Sequence, residues 1–187
     1  MMRRSGRWMV AVGCLVMATV VMAEGTWGAR VAEAGEGQEA VAPDSQEFSR
    51  IKNLAGRWEG TTAHMEAPAE PAVVEYKVTS GGSAVVETLF PGTPHEMVSV
   101  YHDVNGKLAM THYCMLHNQP QLALTRADSQ HLELSLADSP GIDPARDRHM
   151  HSLSITWQDP NRLTQVWTSY EGGKPNGSTT ITLSRAR

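Results

Sequence analysis

From Gly56 onward, apolar and polar residues alternate in short runs with a period of two, and Gly, Pro, Asn or Asp breaks each run after roughly 8 to 12 residues. Successive residues of a strand face opposite ways, so each run reads as a strand with one apolar face. About ten strands are predicted: Arg57–Ala63, Ala72–Thr79, Ala84–Phe90, Glu96–Asp103, Lys107–Leu116, Gln121–Ala127, His131–Ala137, His149–Gln158, Arg162–Tyr170 and Ser178–Ser184. Between them lie hairpin connections, in which Asn105-Gly106 and Ser80-Gly81-Gly82-Ser83 supply positive φ and Asp159-Pro160-Asn161 a fixed φ. With no helical crossover, the strands make an antiparallel meander. Left flat, it would expose unpaired edges, which closure removes. The fold class predicted is therefore all-β, a closed antiparallel up-and-down β-barrel of about ten strands. A short helix over Ser45–Leu54 is expected before the first strand, because Phe48, Ile51 and Leu54 recur at helical spacing behind Ser45 or Asp44 as cap. It is placed to lid or plug the barrel.

The strand faces nominate an interior. In Lys107–Leu116, the residues Leu108, Met110, His112 and Cys114 share one face, and Thr111, Tyr113 and Met115 take the other. In the strand from His149, the same alternation puts His149, His151, Leu153, Ile155 and Trp157 together, so two imidazoles are expected on the apolar side. Tyr76, Met97, Tyr101, Met110, Trp157 and Trp167 are candidates to project inward, where methionines fill irregular pockets adaptably. With His112 and Cys114 they form the candidate ligand-binding set.

The N-terminus changes the picture of compartment. Arg3, Arg4 and Arg7 precede an apolar run from Trp8 to Val21 and small residues up to Ala23, so residues 1–23 read as a secretory signal peptide. The run falls short of the ~20 apolar residues of a spanning helix, and no later segment is continuously apolar, so no membrane insertion is expected after cleavage. A lipid-bearing Cys14 is the competing reading of the same segment; it would leave Leu15–Val21 on the mature end. Residues 24–47, rich in Ala, Glu and Gly, read as a flexible mature N-terminus, and 48–187 as one barrel domain. An exported protein, periplasmic or extracellular, is the expectation. Cleavage takes the 16 basic residues to 13 against 20 acidic, net −7, a sign that repels nucleic acid. Cys114 is then the sole cysteine, so the fold rests on its apolar core without a disulfide.

The stretch Leu54-Ala55-Gly56-Arg57-Trp58-Glu59-Gly60, a G-x-W on the first strand just after a short helix, resembles the opening of the calycins, the lipocalin, fatty-acid-binding and nitrobindin-like barrels. The resemblance implies that Trp58 packs under the barrel floor and that Arg185, on the last strand, covers it as structural closure. The segment from Tyr76 through Pro120 also resembles uncharacterised bacterial exported proteins of lipocalin-like type. For function the resemblance implies a small-ligand barrel, and in nitrobindin-like barrels a histidine holds haem.

An exported carrier or sensor of a small apolar molecule, without a cofactor, is the reading these features support first. Two alternatives stay open. One is a haem- or transition-metal-binding barrel using His112, Cys114, His149 or His151, with His151 the metal candidate. The other is a filled barrel acting as a structural or interaction module. No glycine-rich elbow or helix N-terminus adjoins Cys114, and residues i and i+2 of a strand stand nearly 7 Å apart, so the chain is read as non-enzymatic.

Overall fold

A computed structural model describes residues 43–65 and 67–187. Helix α1 (Gln46–Lys52) precedes β1 (Gly56–His64), β2 (Glu70–Thr79), β3 (Ala84–Leu89), β4 (Met97–Val104), β5 (Lys107–Tyr113), β6 (Gln121–Ala127), β7 (His131–Leu136), β8 (His149–Asp159), β9 (Arg162–Glu171) and β10 (Lys174–Arg185). Each strand pairs antiparallel with its neighbours in sequence, and β1 pairs with β10 to close the barrel. The closed ten-strand up-and-down barrel predicted from the alternation is the fold observed. The signal peptide expected over residues 1–23, the lipid reading of Cys14 and most of the segment 24–47 lie outside the described residues. Among the described residues no helix is long and apolar enough to cross a membrane.

Turn chemistry sets the register. Asn105 and Gly106, at φ 52° and 73°, link β4 to β5 with the two positive dihedrals of the tightest hairpin. Gly60 is required by close approach: a Cβ there would stand 1.8 Å from the Thr182 carbonyl oxygen on β10. The strand expected to run on to Leu116 ends at Tyr113. Cys114 begins a turn closed by the His117 N–H donating to the Cys114 carbonyl at 3.0 Å, with His117 at φ 61°.

One end of the barrel is plugged. Ser45 caps α1 by accepting from the Phe48 N–H at 3.0 Å, and its own N–H and hydroxyl donate to the two Asp103 carboxylate oxygens at 2.6 and 2.7 Å. The helix is thereby tied to the end of β4, and Phe48, Ile51 and Leu54 are buried. Beneath it the Trp58 indole donates to the Leu54 carbonyl at 2.7 Å. The Arg185 guanidinium lies 4.4 Å over the Trp58 ring and donates to the Asn53 and Ala55 carbonyls at 2.8 Å each. Trp58, Arg185 and α1 thus form a single seal. Above them Leu132, Leu134, Leu153, Ile155, Leu163 and Leu183 fill the lower lumen.

Candidate binding site

Half-way up, the lumen turns from apolar to polar. Directly opposed residues of paired strands point to the same side. The pairs Tyr76↔Glu87, Glu87↔Ser99 and Ser99↔His112 therefore put four polar side chains in one inward row across β2, β3, β4 and β5. Glu87 is fully buried and accepts from the Tyr76 hydroxyl at 2.7 Å and the Tyr101 hydroxyl, one layer below, at 2.9 Å. Gln165 reaches over from β9, across the lumen, and donates to Glu87 and to the Tyr76 oxygen at 2.5 Å each, while its own carbonyl accepts from the Trp167 indole at 3.1 Å. The network spans the barrel from wall to wall.

Burial raises the Glu87 carboxyl above the usual range, against the pull of its hydrogen-bond donors, and pushes both phenols well above theirs, so Tyr76 and Tyr101 stay donors at neutral pH. No cationic side chain among the described residues pairs with Glu87. Its neutralisation, if ionised, rests on donors alone. His112 ends the row: Nδ1 meets the Ser99 hydroxyl at 3.0 Å, the ring lies 4.6 Å from Trp167, and Nε2 is buried without a partner among the described residues. Burial lowers its pKa to about 4, so the imidazole is neutral at pH 7.

Above this layer the barrel is open. The mouth holds a cavity of about 740 Å³, with Trp167, Met97, Met150, Phe90 and Cys114 on its wall and Glu70, His64, His95 and Arg148 among its polar side chains. Of the eight candidate ligand-binding residues, Met97, Cys114 and Trp167 line this cavity. Tyr76, Tyr101 and His112 stand in the polar network, and Met110 is in the packed core. Trp157 lies at the far, sealed end, where the Arg50 guanidinium sits 4.2 Å over its ring. Burial raises the Cys114 thiol above its usual range, which keeps it protonated and a poor nucleophile.

The inward histidine pair is corrected. The register of β8 shifts between Met150 and Ser152, and His151 is the extra residue of this bulge. Parity flips at that point: Met150 opposes Ser169 and enters the cavity, whereas His149 opposes Tyr170 on the outer face. His149 is nevertheless buried, its Nδ1 against the Asp147 carbonyl at 2.8 Å and its Nε2 3.2 Å from His151 Nδ1, and His151 stacks on Tyr170 at 3.7 Å. The imidazoles on the cavity wall are instead His64 and His95, which the alternation did not single out. No group of three or more His, Cys, Asp or Glu among the described residues is placed to hold a metal ion.

Glu87, Ser99 and Gln165 were missed by sequence reasoning, although a signal was there. Each occupies the apolar phase of its strand, as in Val85-x-Glu87-x-Leu89 and Leu163-x-Gln165-x-Trp167. A polar residue in that phase is a buried polar residue, and buried polar residues need partners.

No protein-family model and no curated protein matches the chain. Among solved structures, a protein of unknown function from the DUF3598 family of Nostoc punctiforme is similar over 73% of this chain and 49% of that one, with 15% identity and a TM-score of 0.49. This chain therefore spans under half of that protein's length. A redesigned β-barrel is similar over 74% of this chain and 96% of that one, with 13% identity and a TM-score of 0.35. Neither likeness carries an argument about function.

Proposed function

We propose that this protein is an exported, non-enzymatic carrier or sensor of a small apolar molecule, held in the open end of a calycin-like barrel. The observation that carries the reading is the mouth cavity of about 740 Å³, apolar over most of its wall and rimmed by a few polar groups. That size lies within the roughly 300–1,000 Å³ of small-molecule sites. A barrel that served only as a filled module would need no such space, and the lower half here is already filled by packed leucines, the Glu87 network and α1. The thioethers of Met97 and Met150 adapt to ligand shape, and Trp167 offers a flat floor.

Titration with 1,6-diphenylhexatriene, an uncharged apolar probe, tests the reading. The wild-type protein is expected to bind it saturably, and Met150→Arg, which places a charge in the mouth, to weaken binding by roughly tenfold or more. Equal affinity in the two proteins sinks the proposal. Export is tested by the mass of the protein recovered from the periplasm or medium, which should lack residues 1–23.

A further inference from the structure

A second recess lies at the sealed end, between α1 and the β6–β7 and β8–β9 turns. It measures about 540 Å³ and is lined by Arg50, Leu54, Gln130, Trp157, Pro160 and Arg185, among others. Two guanidiniums open into it, and neither meets a carboxylate within ion-pair distance among the described residues. Arg50 donates through Nη1 to the Asp128 carbonyl at 2.6 Å and through Nη2 to the Ser129 carbonyl at 3.3 Å. Arg185 donates through Nη1 and Nη2 to the Ala55 and Asn53 carbonyls. A guanidinium carries five N–H donors in a rigid fork, so each keeps donors to spare; Glu47 and Asp128 act on the Arg50 charge from a distance, but no carboxylate among the described residues bonds to either guanidinium.

The acid that lines the recess, Asp159, is already engaged by the Arg162 Nε at 2.7 Å and the Asn161 N–H at 2.8 Å. Nearby Asp128 is likewise held by His131 and by the Gln130 and His131 N–H groups. On a chain of net charge −4, two guanidiniums with aromatic and carbonyl partners but no bonded carboxylate among the described residues give this concave, partly apolar recess a local charge of the opposite sign.

We propose that this recess is a binding site for a small organic anion bearing a flat ring. Its carboxylate or phosphate oxygens take the spare N–H groups of Arg50 and Arg185, and its ring packs against Pro160 and beside the Arg50 guanidinium that already lies over the Trp157 ring. The inference is independent of the mouth, which lies at the other end of the barrel.

Calorimetric titration of the full-length protein with 2-naphthoate, against the neutral 2-naphthalenemethanol, tests it. Arg185 seals the barrel over Trp58, so the informative changes are Arg50→Gln and Gln130→Glu. The second adds a negative charge to the recess where the Gln130 side chain makes no hydrogen bond among the described residues, its backbone N–H alone being engaged by Asp128. Saturable binding of 2-naphthoate, weakened roughly tenfold or more by either change, with the melting temperature holding in Gln130→Glu, is the expected result. The neutral analogue should bind more weakly and be indifferent to Gln130→Glu. The proposal is overturned by an absence of binding heat for 2-naphthoate, by equal affinity for the neutral analogue, or by affinity unchanged within about twofold in both variants.

Discussion

Glu87 and His112 belong to one polar row but titrate in opposite senses. The unfolded His112 gains its proton near pH 6.5 and the folded one only at about 4, so the unfolded chain binds more protons between those values. Stability therefore falls as pH drops through that window, by about 3 kcal/mol from this group. Glu87 is raised above its ordinary value, so the folded state binds the extra proton, and its effect is a loss of stability as pH rises from 4.5 toward the raised value. Denaturant unfolding from pH 4 to pH 7 should show His112→Asn flattening the acid slope and Glu87→Gln steepening it; parallel curves for all three proteins would contradict the assignment. His112 was legible because the alternation placed it with Leu108 and Met110. Glu87 was not, because a carboxylate in the apolar phase of a strand is expected to be solvated unless distant partners bury it. Its burial is tolerated only through donors from strands 11, 14 and 78 residues away in sequence.

At the level of elements, strand positions were readable from alternation and turn residues, since each hairpin is a local problem. The bulge in β8 was not. An extra residue inverts every side chain on one side of it, and no local composition distinguishes His149-Met150-His151 from a regular strand. The same limit applies to Cys114, which the alternation extends along β5 but which opens a turn at the rim. Helix α1 follows the opposite rule: its spacing was explicit and its cap was narrowed to Ser45 or Asp44, while its anchor on Asp103 is long-range. Ser45→Ala removes both the cap and the Asp103 contact. It should cost about 1–2 kcal/mol in chemical denaturation. A loss below about 0.3 kcal/mol would mean that the buried Phe48, Ile51 and Leu54 hold the plug without it.

At the largest scale, the barrel divides along its axis into a sealed apolar base, a hydrogen-bonded middle and an open mouth. Whether such a barrel is hollow or filled was undecidable from sequence, because the same inward methionines and aromatics serve both. The three-dimensional answer is that both hold, at different heights. Of the five tryptophans, the three among the described residues divide along the barrel, Trp58 and Trp157 at the sealed end and Trp167 beneath the mouth, so substitution of each reports on where an apolar guest settles. The decisive measurement is quenching of tryptophan fluorescence by 1-bromodecane, whose bromine acts only near contact. Saturable quenching that survives Trp157→Phe and is lost in Trp167→Phe is the result expected of a guest in the mouth. Quenching that never saturates, or that disappears with Trp157 and persists without Trp167, would contradict a mouth-bound ligand.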